Sequence, residues 1–185
     1  KVYSLIDYNI VEAVVIFSEA FKDTSIVDEL RMGAEAHNVP VFILGNRSEK
    51  CTSFIFDYEA GFEQAVRHII EYHGITDTAM IAGLKGEEHS EQRIAVYKKV
   101  LAENGLPFND NMLSYGDYWS GPAQKAVEDM IAKGHVPKAI ICANDMMAIT
   151  ACAVLNRHGY KVPDDVAVVG FDGTEEAKQC IPPIT

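Results

Sequence analysis

The stretch AIICANDMMAITACAVLNRHGYKVPDDVAVVGFDG, residues 139–173, decides how this chain folds. Ala139 to Ala143 form an apolar run of the length expected for a strand buried on both faces. Asn144 then suits a helix N-cap, because its side-chain oxygen accepts a hydrogen bond from an unpaired N–H of the first turn. Asp145 follows where the positive end of the helix dipole stabilises a carboxylate. Ala148, Ala151, Cys152 and Leu155 recur at helical spacing and supply the buried stripe. Gly159 and Pro163 provide the stop, and Val166 to Phe171 read as a second apolar strand. Strand, helix and strand in this order make a parallel βαβ unit.

The same alternation extends outward in both directions. Val11 to Phe17 read as a buried strand, Ile26, Val27, Leu30 and Ala34 mark a helix, and Pro40 to Leu44 give another strand. Phe54 to Asp57 (FIFD) are expected to be a strand leading out of this first part. Tyr58 to His73 read as one helix, with Phe62, Ala65, Val66, Ile69 and Ile70 on its inner face. Thr78 to Gly83 form the next strand. Ser90 is the expected cap of a helix reaching Asn104, Met112 to Tyr115 a short strand, and Pro122 fits the first turn of a further helix. The fold class is therefore α/β with parallel sheets flanked by helices.

Composition narrows the function. The 185 residues are 48% hydrophobic and 23% charged, an ordinary globular balance with room for one domain or two small lobes. Apolar runs stop far short of the ~20 residues of a membrane span, so no membrane partner is expected. A net charge of −11 without a basic cluster argues against nucleic-acid binding by this segment. The cysteines, at 51, 142, 152 and 180, show neither CxxC nor zinc spacing, which favours reduced thiols and a cytoplasmic location. No GxSxG, GxGxxG or P-loop is present, so neither a catalytic residue nor a cofactor is assigned. Two weaker groupings remain. Glu87, Glu88, His89 and Glu91 read as an acidic surface loop rather than a metal site, and His68 and His73 flank Glu71 without HExxH spacing.

In open parallel sheets, ligands bind beyond the carboxyl ends of the strands. Three loops leaving such ends carry the candidate ligand-binding residues: Ser90 and Arg93, Tyr118 and Trp119, Asn144 and Asp145. A carboxylate, a guanidinium and aromatic faces suit a saccharide-like ligand, whose hydroxyl pairs accept bidentate charged partners and whose C–H faces pack on rings. Structural readings stand beside these. Asp145 also fits a dipole-matched first-turn acid, Arg93 a solvated helix residue, and Trp119 a core or dimer contact.

CANDMMAI, then VPDDVAVVGFDG, then PPIT at the end of the chain resemble the effector-binding core of the lactose-repressor (LacI/GalR) family, which has the periplasmic-binding-protein fold. The resemblance implies a ligand sensor rather than an enzyme. It implies a partial N-terminal lobe over 1–57, a C-terminal lobe over 58–171 and a crossing back toward the N-terminal lobe over 172–185. Earlier βα units, and in true repressors a DNA-reading headpiece, would precede the chain. The Asp of the family's ANDxxA motif matches Asp145 and contacts effector, and its S-x-x-R matches Ser90 and Arg93. Val96 departs from the glycine usual three residues after that arginine. The GD-aromatic segment ending in Ser-Gly matches Gly116, Asp117, Tyr118, Ser120 and Gly121 with a shorter insert, so Tyr118 and Trp119 both stand as the stacking ring. The expected function is effector sensing for a LacI-type transcriptional regulator, with a small sugar-like molecule in an interlobe cleft. Homodimers pairing through outer helices are expected, with Tyr58 to His73 part of that surface or simply lobe core. FDYEAGFEQAVRHIIEYHG and VYKKVLAENGLPF resemble sensor modules fused to GGDEF diguanylate cyclases, and a periplasmic sugar-binding transport receptor is the other alternative.

Overall fold

The computed structural model describes residues 2–18, 25–45 and 47–184 and divides into two compact units, 1–57 and 58–185. In the first unit, β1 (Val14–Phe17), β2 (Val41–Leu44) and β3 (Thr52–Phe54) form a parallel sheet in that order, with α1 (Ser25–Glu35) between β1 and β2. Among the described residues, Ile16, Leu30, Ala34, Val39 and Ile43 are its buried apolar ones. The third strand lies earlier than the apolar run FIFD predicts. The ladder takes Thr52, Ser53 and Phe54, and the Ser53 hydroxyl accepts the Ser48 N–H at 2.9 Å, which holds the preceding turn. Ile55 to Asp57 stand outside the ladder.

The second unit holds a four-stranded parallel sheet in the order β5-β4-β6-β7, made of β4 (Thr78–Ala82), β5 (Leu113–Tyr115), β6 (Ala139–Cys142) and β7 (Ala167–Val169). Every residue of β4 and β6 is buried, as their unbroken apolar runs require. The flanking helices are α2 (Tyr58–Arg67), α3 (Glu88–Glu103), α4 (Ser120–Ala132) and α5 (Asp145–Arg157), with a short α6 (Glu175–Gln179) that the sequence reading did not anticipate. Helix α2 packs on α3, and α4 on α5. The chain moves outward from β4 to β5 and then back across to β6. Right-handed crossovers in opposite directions put the two helix pairs on opposite faces and create a switch point between β4 and β6.

Two helix boundaries differ from expectation for clear physical reasons. The helix after β4 is capped by Glu87, not Ser90: its carboxylate accepts the His89 and Ser90 N–H groups at 3.0 and 2.8 Å. Ser90 instead lies in the first turn, fully buried. The helix from Tyr58 ends its regular part at Arg67 and continues as a π-helical turn, His68–Tyr72. Phe62, Val66, Ile69 and Ile70 are core. With regular winding His73 would fall on that same stripe, eleven residues after Phe62, and the wide turn carries it out to solvent instead. The apolar side of this segment is thus lobe core. Its outer side is charged, Arg67 pairing with Glu63, Glu71 and Glu103.

The candidate ligand-binding site

The switch point concentrates polar side chains at the carboxyl ends of the second unit's strands. Asn144 caps α5 as its position predicts, accepting the Met147 N–H at 3.0 Å, while its side-chain N–H group donates to the Tyr118 carbonyl at 3.3 Å. One amide thus ties the loop after β6 to the loop after β5. That second loop is a tight reversal in which Asp117 and Tyr118 both take positive φ, 52° and 63°. It lays the Tyr118 ring on the backbone of Gly83 at the end of β4, where an added Cβ would lie 2.0 Å from the ring. Only glycine admits the ring there.

Arg93 lies at the centre, 7% exposed. Its Nη1 donates to the Tyr118 hydroxyl at 3.1 Å, which donates onward to Glu87 Oε2 at 2.9 Å. Three rings surround the guanidinium, with centroids 4.9 Å (Phe171), 5.6 Å (Tyr58) and 5.9 Å (Tyr118) from its carbon. Such faces hold a cation in a partly dry setting. Burial pushes the Tyr118 phenol up to about 12, Arg93 opposing and Glu87 adding to the shift. Burial alone would raise Glu87 as well, but the His89 and Ser90 N–H groups and the Tyr118 hydroxyl together hold it below the usual carboxylate range. Two buried polar atoms, Arg93 Nε and Ser90 Oγ, find no hydrogen-bond partner among the described residues. Each such atom costs about 1–3 kcal/mol until something satisfies it.

Asp145 is also buried, at 3% exposure, and its Oδ2 accepts the Thr174 N–H at 2.7 Å. Gly170 makes room for it: a Cβ there would stand 2.3 Å from Asp145 Oδ1. Asp172 stands near enough to both Asp145 and Arg93 to feel their charges. Burial chiefly raises its carboxyl and Asp145 adds to this, while Arg93 opposes. Its backbone is strained, with φ at 134°.

Of the six sequence candidates, the structure brings Ser90, Arg93 and Tyr118 into one cluster and ties Asn144 to it, with Asp145 beside Asp172. Trp119 stands apart as the exposed N-cap residue of α4, at 65% exposure, and is not core. Arg93 is not the solvated helix residue of its structural reading, and it and Asp145 are both buried, because rings and backbone from other loops close over them. Glu87, read from the sequence as part of an acidic surface loop, joins the cluster, as do Tyr58, Phe171 and Asp172, which were not singled out. For Phe171 and Asp172 the signal was positional: GFDG follows a strand end just as CAND does.

Residues 66–185 match the family model of the periplasmic binding protein-like domain. An HTH-type transcriptional repressor, PurR of Vibrio campbellii, is 30% identical over 165 residues, covering 88% of this chain and 49% of the repressor. The chain thus spans about half the length of the curated relatives it matches. Among solved structures, the Escherichia coli transcriptional repressor ascG superposes with a TM-score of 0.78 at 26% identity, over 95% of this chain and 63% of that one. A complex of the transcriptional regulator CelR with cellobiose gives 0.75 at 27%, over 95% and 53%. These relatives are regulators, not enzymes. With the parallel sheets, the rim motifs and the family match in agreement, the chain belongs to the periplasmic binding protein-like domains, in the form found in LacI/GalR-type regulators.

Proposed function

We propose that this chain is the effector-sensing core of a LacI-type transcriptional regulator, and that a small, polar, sugar-like molecule binds at the carboxyl-end rim of the second unit. The observation that carries the reading is Arg93: a buried cation under three aromatic faces, whose Nε, like the hydroxyl of Ser90 three residues earlier, has no hydrogen-bond partner among the described residues. A polyhydroxylated ligand supplies acceptors and donors for both and C–H faces for the rings. Tyr118, rather than the outlying Trp119, is the ring assigned to the ligand. Asp145 and Asn144 complete the rim. The CelR–cellobiose complex supports the saccharide class.

The ligand acts by favouring one conformation of the sensor through differential affinity. The regulator works in the cytoplasm as a homodimer, and DNA contact belongs to a headpiece outside this segment. The segment from Asp172 starts the crossing between lobes. Linkage to a GGDEF cyclase remains a second form of the same sensor, resting on the phrases in α2 and α3.

Calorimetric screening of mono- and disaccharides, cellobiose included, tests the proposal on the full-length protein. The expected result is a saturable hit that Arg93→Met weakens about ten- to a hundred-fold, since charge-assisted hydrogen bonds contribute about 1.5–3 kcal/mol each. A hit bound equally well by wild type and Arg93→Met overturns the site.

A further inference from the structure

A second grouping with ligand chemistry lies at the far end of α2, away from the rim. His68 and His73 are five residues apart, which in a regular α-helix sets side chains about 140° apart around the axis. The π-helical turn changes that. His73 N–H donates to the His68 carbonyl at 3.1 Å, and the wider winding stacks the two residues on one side. Their Nε2 atoms stand 3.1 Å apart. Tyr72 steadies both rings, lying nearly parallel on His68 at 5.1 Å between centroids and edge-on to His73 at 5.0 Å. Both imidazoles are exposed.

We propose that His68 and His73 form a two-nitrogen site for a divalent transition-metal ion of the Cu²⁺, Ni²⁺ or Zn²⁺ class. Two nitrogens 3.1 Å apart, each about 2.05 Å from an ion, subtend an angle of about 98°, between square-planar and tetrahedral values. Now one ring's Nε2–H faces the other's lone pair. Moving that proton to Nδ1 and turning the ring converges both lone pairs on the ion, with no net proton released from the neutral pair. Glu71 is not a third ligand, because Arg67 and Asn104 engage its carboxylate. The pair forms the polar corner of a cavity of about 370 Å³ whose other walls, such as Ile75, Val168 and Pro183, are apolar. Water or a small exogenous ligand fills the remaining coordination positions. All-imidazole donation favours borderline transition ions over Mg²⁺ or Ca²⁺.

Calorimetry with CuCl₂, NiCl₂, ZnCl₂ and MgCl₂ near pH 7.5, in a weakly coordinating buffer, tests the site on the full chain. One saturable ion per chain is expected, tightest for copper and absent for magnesium. His68→Ala and His73→Ala should each weaken copper at least tenfold, with His158→Ala unchanged. Both replaced side chains are exposed, so the fold survives. Copper should also selectively broaden the His68 and His73 imidazole resonances. Equal copper affinity in wild type and both single variants, or no saturable binding below millimolar concentration, overturns the proposal.

Discussion

Asp172 shows how single residues carry tension at the rim. Its carboxyl is raised, first by burial and then by Asp145, and its backbone holds a φ of 134°. A carboxylate whose folded pKa exceeds its unfolded value favours the fold while protonated. That contribution is complete below the unfolded pKa and is lost as pH rises through the folded one. At pH 7 the ionised group is therefore a cost. Asp172→Asn removes the charge and keeps an acceptor for the neighbouring Asp145 N–H. Thermal melts should show the variant more stable than wild type at pH 7.5, with the difference shrinking toward pH 4. An unchanged difference across that range would mean that the charge of Asp172 does not set the cost. Gly83 makes the complementary case, since the Tyr118 ring occupies the space its Cβ would need. Gly83→Ala must push the ring off Arg93, so effector affinity should fall about tenfold or more by calorimetry while the buried strands of the sheet stay intact.

Among the elements, α3 has the most to lose at one residue. Glu87 satisfies two first-turn N–H groups and also receives the Tyr118 hydroxyl, so the helix start and the ring position depend on one carboxylate. Replacing a cap costs about 0.5–2 kcal/mol, which in a protein of this size lowers Tm by roughly 1–8 °C. Glu87→Ala should show that loss. Glu87→Asp, a shorter acid, should keep part of the capping while withdrawing from Tyr118. An identical Tm for Glu87→Ala and wild type would remove Glu87 from the cap. Elements also show where a one-dimensional reading stops. Asn144 was legible because its cap is made with its own helix three residues on. Glu87 was not, because Ser90 is the conventional capping residue and only the extended backbone at Glu87 brings its longer carboxylate back onto the turn.

At the scale of the molecule, the alternating strands and helices were legible because β4 and β6 are buried on both faces, which leaves unbroken apolar runs in the chain. Burial of Arg93 was not, since it requires Tyr58, Tyr118 and Phe171 to arrive from three distant segments. The π turn was equally silent: Phe62, Val66, Ile69 and Ile70 fit a regular helix, and only the exposed His73 betrays the phase change. Charge, by contrast, reads directly into a prediction. The chain has 16 basic against 27 acidic residues. Many of the cations already face carboxylates: Arg31 pairs with Asp28 and Glu35, Arg67 with Glu63, Glu71 and Glu103, Lys99 with Glu63, and Lys125 with Asp129. Duplex DNA binding draws on clusters of Lys and Arg that release counterions from phosphates. Here any approaching phosphate meets the paired carboxylate as well as the cation. Fluorescence anisotropy of a labelled duplex titrated with this chain at near-physiological salt should therefore show no saturable binding below about 100 μM, the weak end of ordinary non-specific affinity. Adding a basic headpiece should restore binding with a steep salt dependence. Micromolar, salt-sensitive binding by the segment alone would mean that it contributes its own phosphate contacts, and the division of labour between sensor and headpiece would fall.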